Sequence, residues 1–596
     1  MSRRSRRSSA DDAAAGGPAR DGRAAGAEED DTYAAVTPLP VASADLDAAV
    51  QRVLGEGARL RESQRDALDG LRDRDTLLVA RSGAGKTAVY AISTLLTGRL
   101  TVVVSPLLAL QRDQVTALRE AGLRAEAVSS ARTARQQRQA LELAVAGELD
   151  VLLLAPEQLV RSAVIDELVT ADVGLVVVDE AHCVAEWGHD FRPDYLQIGA
   201  AVERLGRPRV LAMTATASPH VRDEIVERLA MHEPRVLVHD ADRPNIWLGA
   251  HHAATEPERD QRVVAWVLEQ EGAGIVYGRT RTHVEALAAA LADAGKPALV
   301  YHAGLRAAER AAAQDAFLRG DADLVVATSA FGMGVDRLDV RFVVHAGPSP
   351  SLDAYYQEVG RAGRDEEPAT AVLFTRPDDF GLNHYLRSGG GPRPETVRKV
   401  LRELAQEPAT RDQLVERTGL TTRTLSRVLG ALLGVEAVRQ DGDLLHAGEL
   451  TPAKALKAVT ERRERLQEID TTRVELVRTY ADATDCRRRL LLELLGEAHP
   501  QQCGRCDNCE QGTSLDVDES RLRTGEHVEH TEFGPGVVSV VEAERVTVLF
   551  DERGYVTLDT AIALDSGILV VVPGASGGAV VGDAASEPST AEAGAA

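Results

Sequence analysis

At 596 residues and 44% hydrophobic content, the chain is long enough for about four folding units with several apolar cores. It holds no apolar run near the ~20 residues that a membrane-crossing helix requires, and none follows the N-terminal arginines, so a cytoplasmic protein, nucleoid-associated if bacterial, is expected. A net charge of −24 excludes a uniformly basic nucleic-acid coat and confines any such binding to local patches.

Residues 1–44, rich in Ala, Gly, Ser, Arg and Asp without periodicity, are expected to form a disordered tail. From 45 to 375, seven β-branched runs (TLLVA, TVVVSP, VLLLAP, GLVVVDE, GIVYG, LVVATS, RFVVHA) alternate with Ala- and Leu-rich helical stretches. That alternation predicts an α/β fold of parallel sheets with crossover helices, divided into lobes at 45–240 and 241–375. RSGGGPRP at 387–394 marks a linker over 376–394. Residues 395–450 read as a helix-turn-helix or winged-helix-like segment. There Leu425, Val428, Leu429 and Leu432 share one helix face, and Thr422, Arg423, Ser426 and Arg427 face outward. A helical, cysteine-bearing module follows at 451–512. Alternating short strands at 525–573 predict a small β-barrel, and 574–596 a second disordered tail.

ARSGAGKT, residues 80–87, follows an apolar strand and opens a helical stretch, the context in which loop amides cradle phosphates. Ser82, Gly83, Ala84, Gly85, Lys86 and Thr87 form this ATP-binding loop, with Lys86 reaching the β/γ oxygens and Thr87 holding Mg²⁺; Ala80 stands where the simplest pattern has Gly. About 90 residues on, DEAH follows the strand GLVVVDE. Asp179 is then the second Mg²⁺ partner and Glu180 the base that orients the attacking water. YYQEVGRAGRD, at 355–365, supplies Gln357, Arg361 and Arg364, and arginines spaced i, i+3 are expected to project from one helical turn toward the nucleotide.

LRESQ (60–64), SPLLALQRDQ (105–114), APEQL (155–159), TATA (214–217), DRPNI (242–246), YHAGL (301–305), ATSAFGMGVDRLDVRFVVH (327–345) and QEVGRAGRD (357–365) resemble, in order and form, the core of RecQ-family ATP-dependent DNA helicases of superfamily two. The resemblance covers roughly residues 50–510 and implies two tandem RecA-like lobes. It also implies that the segment after DEAH is an aromatic-rich loop sensing single-stranded DNA, through Trp187, His189, Phe191 and Arg192. Stacking on such aromatics is worth ~1–3 kcal/mol per base without sequence preference. Glu186 stands where the family usually has Gln. Arg61 and Gln64 resemble the residues that bracket adenine, with Leu60 in place of the usual aromatic. His182 and Thr214 resemble positions coupling the ATP and DNA sites.

Of five cysteines, Cys486, Cys503, Cys506 and Cys509 fall within 24 positions, the last three at C-x2-C-x2-C spacing. Four converging thiolates give a closed structural Zn²⁺ site, with an iron–sulfur cluster as the alternative. The pattern also resembles the RecQ zinc module; Cys183 is left as a buried thiol. In the family the winged helix follows the zinc module, whereas the segment 395–450 precedes it, and neither that domain nor the terminal HRDC domain is recognisable after Cys509. The barrel resembles SH3- or Tudor-type barrels that end some other bacterial DNA helicases, and its acidic balance favours a protein partner over DNA.

The expected function is an ATP-dependent 3′-to-5′ DNA helicase, acting on single-stranded and tailed duplex DNA in repair and recombination. The rivals are a DNA-stimulated translocase or remodeller without strand separation, and a DNA-binding scaffold acting through the helix-turn-helix and barrel.

Overall fold

The computed structural model describes residues 43–572 apart from 82, 107, 130–131, 160, 186–194, 196, 240, 333–336, 381–391, 442–443, 498–501, 515–520, 543 and 552. The expected tails therefore lie outside the described residues, save that a helix already begins at Ser43.

The first lobe is a seven-stranded parallel sheet. Its strands are β1 (Thr76–Ala80), β2 (Leu100–Val104), β3 (Ala125–Val128), β4 (Val151–Leu154), β5 (Val173–Val178), β6 (Arg209–Thr214) and β7 (Arg235–His239), in the order β3-β4-β2-β5-β6-β1-β7. Helices cover both faces, so β1, β2 and β4 are buried at every residue and read as unbroken apolar runs. The order decides where the chemistry sits. The C-terminal ends of β5, β6 and β1 are adjacent, so the acidic pair, Thr214 and the phosphate loop emerge side by side.

The second lobe is a six-stranded parallel sheet of β8 (Ile246–His252), β9 (Ala273–Gly278), β10 (Leu299–Tyr301), β11 (Leu324–Ala327), β12 (Val340–Ala346) and β13 (Ala369–Thr375), ordered β10-β11-β9-β12-β13-β8. The two sheets thus hold thirteen strands where seven were expected. Within the linker expected over 376–394, Asp379 is fully buried between Arg259, Arg279 and Arg376, and 381–391 lie outside the described residues.

Residues 394–447 form helices Pro394–Gln406, Arg411–Thr418 and Thr422–Leu433 with a small antiparallel sheet of β14 (Ala409–Thr410), β15 (Val438–Asp441) and β16 (Leu444–Ala447), ordered β14-β16-β15. The 31-residue helix Pro452–Asp482 supports this unit at its start and the second lobe at its end. It leads to the helix Arg487–Leu494 and the cysteine knuckle, which lies along the sheet edge: Leu248 of β8 bridges Cys506, and Ala250 N donates to Asp507 Oδ2 at 2.9 Å.

The last unit is a five-stranded antiparallel sheet, β17 (His527–His530), β18 (Gly534–Val541), β19 (Arg545–Phe550), β20 (Gly554–Asp559) and β21 (Leu569–Val571), ordered β20-β19-β18-β17-β21. It is welded to the rest rather than tethered. Val540 joins the core of the second lobe, Val541 N donates to Glu493 Oε2 at 3.2 Å, and Tyr555 N donates to Thr472 Oγ1 at 3.1 Å.

Candidate active site between the lobes

The phosphate loop turns from β1 into the helix Lys86–Thr97 through Gly83 and Gly85, both left-handed, at φ 80° and 74°. At φ 74° a side chain on Gly85 would be strained, and its Cβ would lie 2.4 Å from Gln64 Nε2, displacing that amide. Gln64 donates to the carbonyls of Ala84 and Gly85, both at 3.2 Å, and Arg61 Nη1 donates to Gly83 O at 2.7 Å. The two residues expected beside adenine thus also brace the loop from behind. Lys86 Nζ donates to Ala80 O at 2.8 Å. Burial lowers its pKa, the charges of Glu180 and Asp179 raise it, and that of Arg364 lowers it. Thr87 occupies the first turn of the helix; Ser82 lies outside the described residues.

Asp179, 6% exposed at the end of β5, accepts from Gln114 Nε2 at 3.0 Å and from the Glu180 amide at 3.0 Å. Burial first, then the neighbouring Glu180 charge, pushes its carboxyl up to about 6. Glu180 is held left-handed at φ 49°, a conformation a non-glycine residue adopts at a cost of ~1–3 kcal/mol and typically at functional sites. Its carboxylate lies 3.4 Å from His182 Nδ1, which lies 2.9 Å from Thr214 Oγ1. Because the Thr214 hydroxyl donates to Thr216 O at 2.9 Å, Nδ1 is the donor to Thr214, and the Cys183 thiol, 3.7 Å from Nε2, is the complementary donor. Gln357 Nε2 from the second lobe donates to Thr216 Oγ1 at 3.4 Å. One polar chain therefore runs from Glu180 to the opposite lobe.

The arginines do not share a helical turn. The helix Leu352–Val359 ends before them, and they part company. Arg364 passes the phosphate loop, its Cδ 3.9 Å from where a Cβ on Gly83 would stand. Arg361 is buried against the Tyr277 phenol, its Nη2 3.4 Å from the same position on Gly332. The turn carrying them is clamped: Arg243 donates to the carbonyls of Gly360, Ala362 and Gly363 at 2.9, 2.7 and 2.8 Å, and Asn245 Nδ2 to those of Gly363 and Glu367 at 2.8 and 2.9 Å. Burial lowers the Arg243 pKa to about 10.

Arg243, Asn245 and Gln114 went unassigned in the sequence although their segments, DRPNI and SPLLALQRDQ, stood out there; only the fold reveals what they brace. Trp187, His189, Phe191 and Arg192 lie outside the described residues. Immediately after them, buried Tyr195 donates from its hydroxyl to Asp179 O at 3.2 Å.

The four knuckle sulfurs lie within 4.8 Å of one another. Backbone amides point at them: Cys503 N at Cys486 Sγ, Arg505 N at Cys503 Sγ and Cys509 N at Cys506 Sγ, each at 3.4 Å. Amides donating to sulfur favour the thiolate form, so the donor set fits a tetrahedral Zn²⁺. Among the described residues no helix is long and apolar enough to cross a membrane.

The chain matches four known families: DEAD/DEAH box helicase over residues 61–225, helicase conserved C-terminal domain over 260–366, RecQ zinc-binding over 450–510, and DprA winged helix domain over 391–433. It is 32% identical over 452 residues to the ATP-dependent DNA helicase RecQ of Pasteurella multocida (strain Pm70), covering 75% of this chain and 60% of that protein. The Haemophilus influenzae (strain ATCC 51907 / DSM 11121 / KW20 / Rd) RecQ is 30% identical, covering 75% and 61%. The probable ATP-dependent DNA helicase RecS of Bacillus subtilis (strain 168) is 31% identical over 460 residues, covering 76% of this chain and 90% of that protein. The chain thus spans about 60% of the length of the first two of these relatives.

Proposed function

The chain belongs to the RecQ family of superfamily-two helicases, and on that premise we propose that it is an ATP-dependent DNA helicase that moves 3′ to 5′ on single strands and opens tailed duplexes in repair and recombination. The observation that carries this is the meeting of Lys86, Asp179 and Glu180 from one lobe with Arg364 from the other across one cleft. ATP sits with its phosphates in the loop 82–87, Lys86 neutralises the β/γ oxygens, and Thr87 and Asp179 hold Mg²⁺, which neutralises developing charge when bound. Glu180 orients the attacking water, and Arg364 approaches the transferring phosphate when the lobes close. An arginine so placed is worth ~10³–10⁵ in rate. Gln357 reports closure to Glu180 through Thr216, Thr214 and His182. Arg361 supports the turn from inside the second lobe.

Single-stranded DNA stacks on Trp187 and Phe191, and His189 and Arg192 contact it as well. Tyr195 ties that segment to the Asp179 carbonyl, so DNA occupancy reaches the catalytic carboxylates. The unit at 394–447 is read as a winged helix, and the sheet β17–β21 as an SH3-like barrel whose exposed faces receive a protein partner.

The test is strand displacement with ATP from one duplex carrying either a 3′ or a 5′ tail, with Glu180→Gln, which should bind ATP without hydrolysing it, as the blank. Displacement from the 3′ tail alone supports the proposal. Hydrolysis on single strands without displacement from either tail selects a translocase, a reading favoured by the placement of the winged-helix-like unit before the knuckle.

A further inference from the structure

The C-terminal sheet reaches the first lobe as well as the second. Gly554, left-handed at φ 76°, opens β20 close against the long helix Pro452–Asp482: a Cβ there would lie 2.5 Å from Thr472 Oγ1 and 3.3 Å from Ile469 Cα. The next residue, Tyr555, is tied by its amide to Thr472 Oγ1 and packs on the core of the second lobe. It lines a cavity of about 10 Å³ with Arg473 and Leu495, and with Leu352 and Asp353 at the start of the helix that carries Gln357 and leads to the arginine turn. Tyr555 is therefore built into the second lobe.

Leu495, on the wall of the same cavity, also holds the turn that follows Thr214. Its carbonyl accepts from Arg222 Nη2 at 2.9 Å, Arg222 Nε donates to Ala217 O at 2.8 Å, and a Cβ on the adjoining Gly496 would lie 2.7 Å from Pro219 Cδ. These contacts bring Ser218 toward Tyr555. Ser218 Oγ is buried and makes no hydrogen bond among the described residues, although Ser218 stands at the N-terminus of the helix Pro219–Arg228, where a serine hydroxyl ordinarily caps. The polar group beside it is the Tyr555 phenol. Burial and the charge of Asp353 raise that phenol's pKa, and the charge of Arg473 and the Ser218 hydroxyl lower it. A second contact joins the same helix to the sheet: burial raises the Asp223 carboxyl's pKa, and the charges of His220 and of His527 on β17 lower it.

A buried hydroxyl left without a partner costs stability, and such a group in a native fold calls for a functional account. Ser218 lies in the turn that begins at Thr214, whose hydroxyl accepts from His182, and that includes Thr216, which takes the bond from Gln357. Any movement of the second lobe toward the first carries Gln357 and Tyr555 together onto this one turn.

We propose that Tyr555 is a positioning residue for ATP hydrolysis: as the lobes close, its hydroxyl donates to Ser218 Oγ and fixes the turn Thr214–Ser218. The polar chain that starts at Glu180 is then held at its far end by the C-terminal sheet as well as by Gln357. The proposal rests on the helicase reading and gives the sheet a part in the hydrolytic step, separate from any partner received on its exposed faces.

The test uses the full chain and follows steady-state ATP hydrolysis with saturating single-stranded DNA, together with thermal melting. Tyr555→Phe keeps the ring and removes the hydroxyl. Its kcat should fall about two- to tenfold with the KM for ATP within about twofold of wild type, the split expected when a neutral hydrogen bond is made on closure and is absent from the ground state. Ser218→Ala should lower kcat by the same factor yet melt at or above the wild-type temperature, since it deletes an orphaned hydroxyl. The two changes combined should cost no more than either alone. Unchanged kcat in both single variants would overturn the inference. So would a fall in kcat matched in both by a fall in melting temperature, which would make the pair a packing contact. Absence of hydrolysis on any DNA in the wild-type chain would instead defeat the helicase reading itself, so the two failures are distinguishable.

Discussion

Asp179 is a carboxylate that water hardly reaches, with a pKa pushed up to about 6 by burial and by Glu180. Because the unfolded value is near 3.8, the ligand-free fold retains a proton between about pH 4 and 6 that the unfolded chain has released. Its stability contribution therefore falls as pH rises through that window and stays low at pH 7. A cation on Asp179 must displace that proton, so Mg²⁺-nucleotide affinity should decline as pH drops below about 6. Asp179→Asn removes the buried charge and keeps a carbonyl oxygen for the Glu180 amide. Gln114 Oε1, buried without a partner, can accept from the new amide if the glutamine turns over. The variant should resist chemical denaturation better than wild type at pH 7 by about 1–3 kcal/mol, lose that advantage near pH 4, and hydrolyse no ATP. Equal stability at both pH values would mean that the carboxylate is already solvated. In the segment that follows DEAH, Trp187→Ala should still bind DNA but lose DNA stimulation of hydrolysis; retained stimulation would place Trp187 in packing.

The cysteine module supports the active site through the segment that leads into β8. Arg505 donates to Pro244 O at 3.0 Å, Arg488 reaches Asp242 at 3.2 Å and donates to Arg243 O at 3.1 Å, and Arg243 clamps the turn that carries Arg364. Cys506→Ser should lower zinc content and melting temperature together and also raise the KM for ATP, since loosening residues 242–246 frees the arginine turn. Lost zinc with unchanged nucleotide kinetics would confine the knuckle to holding itself together. These connections were only partly legible in the sequence. Strands buried on both faces, such as β1, β2 and β4, announce themselves as apolar runs. All four sheet margins were missed: β7, β10 and β8 because partly exposed faces dilute the run, and β3 because it is four residues long with Glu126 among them. Central β6 and β13 were missed as well. The phosphate loop, DEAH and the cysteine spacing could be read because their chemistry dictates local residue order. The divergence of Arg361 from Arg364 could not, because it depends on a turn clamped by residues more than a hundred positions away.

Closure of the two lobes is where an ion pair can be weighed against backbone strain. Arg81, beside the phosphate loop, meets Glu366 across the cleft, Nη2 to Oε1 3.2 Å. Glu366 sits at φ 68°, where glycine would be free of strain and glutamate is not. On the clamped turn, Arg364 faces Gly83 and Glu366 faces Arg81, so the turn presents two opposite charges to one loop. With Glu366 68% exposed, the pair is worth only ~0.2–1 kcal/mol, a bias of up to about fivefold on closure. Glu366→Gly removes the carboxylate and the strain at once. It should leave the fold as stable or more so, yet raise the KM for ATP about two- to fivefold at low salt, a difference that fades as salt screens the pair. Glu366→Gln keeps the strain and loses only the charge, so it should raise KM equally without the stability gain. Combining it with Arg81→Ala should do no more than either change alone, since each already breaks the same contact. Additive effects would show that Arg81 and Glu366 act separately, leaving closure to Gln357, Thr216 and the nucleotide itself.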